Sequence, residues 1–323
     1  MRRRDFNLLL GGAALAYPAL ALAQSAERLA RIGVLSPFIG PDSAFFEVLR
    51  QRLQELGYIE GKNAAYLYRA AEDYDALARH AAEMVRLEAH VIVTVGAVGV
   101  RAAMSASKST PIVIANVGDA VAQGFVASLA RPGGNVTGLT SLNTELSVKR
   151  LDLLAEALPL IRQVVALGEA VGDSGPLQAT EAAARARGLK LEVMRVREAD
   201  ELASAFAAMP AGRSTALCVI QGPLFTSQLR RIVELAAARG LPAMYPDSRY
   251  VEAGGLMSYG PNIRELYRKS ASYIDRILKG VAPAAIPVEQ PSVFELALNL
   301  KTARSLGVGI SREVRTRADL VLE

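Results

Sequence analysis

The sequence predicts an α/β fold with two similar-sized lobes, each built on a parallel sheet covered by helices. Ten short runs rich in β-formers recur along the chain, and most are apolar throughout, as in strands buried on both faces. The segments between them carry apolar residues at helical spacing. Residues 31–140 hold five of the runs and residues 160–260 hold the other five, so the pattern occurs twice.

The individual elements follow from these patterns. The runs predicted as strands are residues 32–35, 65–68, 90–95, 111–117, 136–139, 164–167, 191–196, 216–220, 242–245 and 255–259. A stripe such as Phe45, Leu49 and Leu53 predicts a helix after the first strand, and a leucine-rich helix over 145–158 separates the halves.

These elements suggest where the lobes begin and end. We assign residues 31–140 with about 260–285 to lobe 1, and 141–259 with about 286–323 to lobe 2. The tail contains a proline-rich stretch, and its packing across the joint between the lobes stays an alternative.

Residues 1–23 have the features of a cleavable export signal. Three arginines precede an apolar stretch that ends in Ala21-Leu22-Ala23, a small-x-small cleavage pattern. The stretch is short for a membrane-spanning helix and contains Pro18, so an anchor is the less favoured alternative. The R-R-x-F-x-L pattern from Arg3 resembles a twin-arginine signal, favoured here over the general secretory route. We expect export to the periplasm with cleavage after about Ala23.

The composition disfavours several classes of function. The net charge is only +5 and no long basic block is present, so we expect no nucleic-acid partner. Cys218 is the single cysteine and His80 and His90 the only histidines, so we expect no disulfide and no metal site. The P-loop, G-x-S-x-G and H-E-x-x-H motifs are all absent from the sequence. We therefore expect no cofactor, no catalytic residues and no enzymatic activity.

Small and polar residues follow the predicted strands at their carboxyl ends, where open parallel sheets bind ligands. The expected ligand-binding residues are Ser36, Gly96, Ala97, Asn116, Asp119, Ser141, Gly222 and Asp247. Helices are expected after Ala97, Asp119 and Gly222, and the backbone NH groups near Ala97 and Asp119 are expected to hold a carboxylate. The carboxylate of Asp247 is expected to hold an ammonium. The alternative for each residue is a turn or a helix cap.

Longer strings in the chain carry a resemblance to a known family. The segments concerned are residues 31–36, 53–63, 118–121, 126–139, 149–151, 254–260, 273–280, 287–291, 294–296 and 299–303. Two of these strings, A-R-P-G-G-N-V-T-G (130–138) and A-G-G-L-M-S-Y-G (253–260), are specific to the family. On these segments the chain resembles the substrate-binding proteins of ABC transporters, of the type that includes tryptophan- and other aromatic amino-acid-binding members.

The resemblance implies a type I periplasmic binding-protein fold, with two Rossmann-like lobes, three crossovers at a hinge and a ligand between the lobes. It implies a monomer that captures a small solute, an amino acid or related organic acid, and delivers it to an ABC permease in the inner membrane. The family often has a hydroxyl residue after the third-strand glycine, whereas Gly96 is followed here by Ala97. Without this hydroxyl, backbone NH groups alone would bind a carboxylate of the ligand. A ligand-sensing module for a signalling receptor and a secreted α/β enzyme are the alternatives.

Overall fold

The computed structural model describes residues 29–210, 212 and 214–323, so the expected export signal lies outside the described residues. The strands are β1 (Ala30–Pro37), β2 (Ala64–Ala71), β3 (Val91–Val95), β4 (Ile112–Val117), β5 (Val136–Thr140), β6 (Gln163–Glu169), β7 (Lys190–Val196), β8 (Thr215–Val219), β9 (Ala243–Tyr245), β10 (Met257–Pro261), β11 (Phe294–Asn299) and β12 (Leu320–Leu322). The first ten occupy the runs predicted from the sequence.

Helices connect most of these strands. They are α1 (Ala44–Glu55), α2 (Tyr74–Arg86), α3 (Gly96–Ala106), α4 (Asn143–Ala157), α5 (Gly175–Ala186), α6 (Glu201–Ala208), α7 (Pro223–Ser227), α8 (Leu229–Ala238), α9 (Ser248–Glu252), α10 (Ile263–Leu278), α11 (Leu300–Leu306) and α12 (Arg312–Thr316), with a 3-10 turn at Pro283–Ala285. Several begin with a capping side chain: Asp73 accepts from the Ala76 NH at 2.7 Å, for example.

The first sheet has the strand order β2-β1-β3-β4-β5, and its strands are parallel. Alternate residues of its central strands face opposite sides: Ile92 packs with α2 and α3, whereas Val91 and Val93 pack with α1 and α10. Because both faces are covered, the strands read as continuously apolar. The return of α10 to this sheet builds the first lobe from two separate parts of the chain.

The second sheet has the order β12-β11-β10-β9-β8-β6-β7. Its strands are parallel except that β11 runs antiparallel to β10. The sequence did not predict β11 and β12. Ile286–Glu289, which we assigned to lobe 2, lies against the first sheet, since the Thr137 hydroxyl donates to the Ile286 carbonyl at 2.6 Å and the Glu289 NH to Gly138 at 3.0 Å. The approximate boundary at 286 was therefore placed a few residues too early.

The chain passes between the two sheets at three places. The first crossover is at Ser141 and Leu142, where Leu142 has φ 53°, and the second is at Asn262, between β10 and α10. The third is residues 290–293, which lead from the edge of the first sheet into β11. Three crossovers of this kind form a hinge about which two lobes can rotate.

Neither a membrane-spanning helix nor a cluster of metal-binding side chains occurs among the described residues. Over residues 29–210, 212 and 214–323, no helix is long and apolar enough to cross a membrane. Within the same described ranges, no group of three or more His, Cys, Asp or Glu side chains could hold a metal ion.

Candidate functional site

The carboxyl ends of the parallel strands of both sheets meet at a cleft between the lobes. The cleft contains about 790 Å³ of empty space, including the part open to solvent. Its lining residues include Ile39, Val95 to Val98, Asn116 to Gly118 and Tyr267 from the first lobe, and Asn143, Gly168, Glu169, Val171 to Asp173, Leu177, Arg195, Ile220 to Pro223 and Thr226 from the second, with Ser141 at the crossover. The topology thus places this space at the edge where open α/β sheets bind ligands.

Five of the expected ligand-binding residues line this cleft: Gly96, Ala97, Asn116, Ser141 and Gly222. Gly96 has φ 71°, which lets the chain turn sharply from β3 into α3. Val95 precedes α3 and no described side chain caps this helix end. The NH groups of the first turn, at Ala97 and Val98, therefore remain available to an anionic group. The Ser141 hydroxyl already donates to the Val117 carbonyl at 2.8 Å.

The other three expected residues do not line the cleft. Ser36 is buried in β1, and its hydroxyl has no hydrogen-bond partner within the described chain. No helix follows Asp119, because its carboxylate accepts from the NH groups of Val121 and Ala122 at 2.9 Å each and closes a turn. The NH groups expected to hold a carboxylate there are thus already occupied.

The carboxylate of Asp247 already has partners within the protein. It caps α9 and forms an ion pair with Arg249 at 2.7 Å, with only 3% of the Asp247 side chain exposed. A carboxylate that neutralises a neighbouring guanidinium in this way is a poor candidate to hold the ammonium of a solute. Two other acidic residues, Glu169 and Asp173, do line the cleft.

Glu169 is one acidic group that the list of expected residues omitted. It ends β6, and its Oε1 accepts from the Leu224 NH at 2.7 Å. The Tyr74 hydroxyl, on the opposite lobe, donates to Oε2 at 3.4 Å. Burial raises the pKa of the Glu169 carboxyl to about 7, against the lowering effect of these hydrogen bonds. The sequence signal was an acidic residue at the carboxyl end of an apolar strand.

Asp173 forms a second polar bridge between the lobes. Its Oδ2 accepts from Gln123 Nε2 of the first lobe at 2.9 Å, and its Oδ1 accepts from the Gly175 NH at 2.9 Å. Nearby, Pro223 of the second lobe lies against Gly96 of the first, where an added Cβ would approach the proline ring to 2.6 Å. The lobes are therefore in direct contact across the cleft.

Two amide oxygens in the cleft wall have no hydrogen-bond partner among the described residues. They are Oδ1 of Asn116, at the end of β4, and Oε1 of Gln221, after β8. One comes from each lobe, and both residues line the cleft. Buried acceptors are normally satisfied, so two orphans here point to a ligand that carries hydrogen-bond donors.

Apolar side chains also line the cleft. Ile39 and Tyr267 contribute from the first lobe and Leu177 and Ile220 from the second. The Tyr267 ring is held against Phe45, with ring centroids 4.5 Å apart. These surfaces suit the apolar part of a small solute, while the polar groups described above fix its orientation.

Comparison with known proteins shows the family to which this fold belongs. A family model for ABC transporter substrate binding proteins matches residues 36–322. The chain belongs to this family. The match confirms the resemblance seen in the sequence, and the family is one of binding proteins rather than enzymes.

Individual relatives agree with this membership. A tyrosine-binding protein of Clostridioides difficile (strain R20291) is 24% identical over 258 residues, which cover 79% of this chain and 74% of the relative. The ABC domain from Streptococcus pneumoniae, solved in complex with L-Trp, has 25% sequence identity and a TM-score of 0.79 over 91% of this chain and 99% of that structure. A conserved domain protein of Vibrio cholerae has 25% identity and a TM-score of 0.81, over 91% and 100%. The predicted two-lobed α/β fold of type I periplasmic binding proteins is thereby confirmed.

Proposed function

We propose that this substrate-binding protein captures a free amino acid in the cleft between its lobes and delivers it to an ABC permease in the inner membrane. It would act in the periplasm as a monomer, because a single chain supplies both walls of the cleft. Residues 1–23 would direct its export. Hinged closure would bury the solute and present both lobes to the permease.

One observation carries this proposal: the cleft offers donors and acceptors that complement a zwitterion. The open NH groups at the start of α3 suit a carboxylate. Asn116, Gln221, Glu169 and Asp173 place oxygen acceptors in the same cleft, and these suit an ammonium. A free α-amino acid carries both groups on one carbon atom.

Aromatic amino acids are the first candidates for the solute. The named relatives bind tyrosine and L-Trp, and each is similar to this chain over most of its length. The apolar wall that includes Tyr267 and Leu177 can pack against an aromatic side chain. Tryptophan and tyrosine are therefore the solutes to test first.

A thermal-shift screen tests the proposal and its chemistry together. We expect L-tryptophan or L-tyrosine to raise the melting temperature of the purified protein, since a ligand that binds only the folded state stabilises it. Tryptamine lacks the carboxylate and N-acetyl-L-tryptophan lacks the ammonium, so both are expected to give a smaller shift. Equal shifts with all three indoles would contradict zwitterion recognition. No shift with any amino acid would contradict the proposed solute class.

A further inference from the structure

Arg150 on α4 is a buried cation that the proposed function does not yet use. Only 1% of the residue is exposed. Its guanidinium donates to the carbonyl of Tyr259 at 2.7 Å, to Oδ1 of Asn143 at 3.0 Å and to the carbonyl of Pro246 at 3.1 Å. All three acceptors are uncharged. The carboxylate of Asp247 acts on the guanidinium electrostatically, but no hydrogen bond between the two is found among the described residues. A buried guanidinium whose hydrogen bonds all go to neutral groups still costs folding free energy, so stability alone explains it poorly.

The position of these acceptors in the chain connects Arg150 to the joint between the lobes. Asn143 is the first residue of α4 and follows the first crossover directly. Tyr259 lies in β10, just before the second crossover. Arg150 therefore links two of the segments that pass between the lobes.

The same contact fixes which way the Asn143 amide faces. A guanidinium has only donors, so the amide atom that faces it must be the oxygen. The NH₂ group of Asn143 then points away from Arg150, and the residue lines the cleft. No acceptor for this NH₂ group is recorded among the residues that the structure describes, so it is free to donate to a solute.

We propose that Arg150 is a positioning residue of the ligand site, which holds the Asn143 amide so that its NH₂ group donates to an acceptor oxygen of the bound solute. The inference rests on the proposed function and adds a side-chain donor to it. A carboxylate is the natural acceptor for this donor, which supplements the NH groups of α3. Arg150 also makes the orientation depend on the joint, because the same guanidinium holds Tyr259.

The sharpest test is the substitution Asn143→Asp. An aspartate keeps the contact with Arg150 and gives the buried guanidinium a directly hydrogen-bonded carboxylate, so the melting temperature should be unchanged or higher. It replaces the donor in the cleft by an acceptor, so affinity for L-tryptophan or L-tyrosine, whichever the wild type binds, should fall about tenfold or more. Unchanged affinity in a folded Asn143→Asp variant would overturn the proposal.

A pair of substitutions separates positioning from general support of the fold. Arg150→Met should weaken binding in the wild-type background but have no further effect on binding in an Asn143→Ala background. A purely structural role of Arg150 would weaken binding equally in both backgrounds, and that result would overturn the proposal. Asn299→Ala is the matched control, since Asn299 is a buried asparagine at the start of α11 and does not line the cleft.

A ligand-free measurement keeps the two proposals distinguishable. In ¹⁵N-labelled wild-type protein, the Asn143 side-chain NH₂ should give a dispersed pair of resonances, assigned by their loss in Asn143→Ala. In Arg150→Met this pair should shift toward solvent-like values. An unchanged pair overturns the positioning role, whatever the solute. Failure of the wild type to bind either amino acid would contradict the proposed solute class and leave the resonance test to decide on Arg150.

Discussion

At the scale of single residues, several polar groups near the cleft already form hydrogen bonds or ion pairs within the protein. Asp247 is paired with Arg249, and Ser141 donates to the Val117 carbonyl. The side-chain oxygens of Asn116 and Gln221 have no hydrogen-bond donor among the described residues. A polar residue is informative about function when its hydrogen bonds are incomplete, and that property is visible only in three dimensions.

The raised pKa of Glu169 predicts a pH-dependent contribution to stability. Its carboxyl changes from an ordinary pKa of 4.5 to about 7 on folding, because burial disfavours the charged form. The folded state therefore binds the proton more tightly, so the stability that this proton contributes is complete below pH 4.5 and is lost as pH rises through 7. The total amounts to about 3 kcal/mol at most.

The variant Glu169→Gln removes this titration while it keeps an acceptor for the Leu224 NH. We expect the melting temperature of the wild type, relative to that of Glu169→Gln, to decline from acidic to mildly alkaline pH. Parallel pH profiles for the two proteins would contradict a raised pKa at this carboxyl.

Cys218 gives a simpler prediction at the same scale. Its side chain is fully buried in the core of the second lobe, and burial raises the pKa of the thiol to about 11. Because the thiolate is the reactive form, we expect no reaction of the native protein with a thiol reagent and one reacting thiol after denaturation. Rapid modification of the native protein would show that this core opens easily.

At the scale of elements, Gly138 shows why one of the family strings contains a glycine. It lies in β5 with φ 131°, and an added Cβ would collide with the backbone of Ile114 in β4. We expect Gly138→Ala to destabilise the first lobe by about 3 kcal/mol or more.

Gly172 is the control for that substitution. Its φ of 125° is similar, but only the tip of the Glu169 side chain would come near an added Cβ, at 3.9 Å. Gly172→Ala adds backbone strain alone and should cost much less in the free energy of unfolding, measured by denaturant titration. Equal losses in the two variants would indicate that backbone strain, rather than the contact with Ile114, sets the cost.

The same scale shows how much of the fold could be predicted from the sequence. The first ten strands were found because burial on both faces produces long apolar runs. The strand β11 was missed because it joins its sheet antiparallel at the end of a proline-rich stretch, and β12 because it has only three residues. The helix expected after Asp119 was replaced by a turn, because one carboxylate accepts two successive NH groups.

The position of the candidate site could be predicted from the sequence, but not all of the residues that line it. The carboxyl ends of strands located the cleft and five of its residues, since topology alone determines that edge. Glu169 has a local signal, an acidic residue at the carboxyl end of an apolar strand, but its contact with Tyr74 and that of Asp173 with Gln123 form only across the cleft. Such contacts join residues far apart in the chain, such as Tyr74 and Glu169, and no local pattern encodes them.

At the scale of the whole molecule, contact between the lobes should control affinity. Gly96 lies against Pro223, so Gly96→Ala would place a methyl group where the lobes meet. Gly124 has the same φ of 71° but open space around it. We expect Gly96→Ala to weaken solute binding about tenfold or more, through obstructed closure, and Gly124→Ala to leave affinity near the wild-type value. Similar affinities for both variants would contradict a closed, solute-bound state with these lobes in contact.

The most direct test of the central claim is a calorimetric titration of the purified protein with L-tryptophan and L-tyrosine. We expect at least one to bind at a single site per chain, with a negative heat-capacity change as apolar surface in the cleft is buried. Chemical analysis of the solute afterwards should recover it unchanged. The absence of binding by both amino acids, or conversion of the solute during the titration, would contradict the function proposed for this cleft.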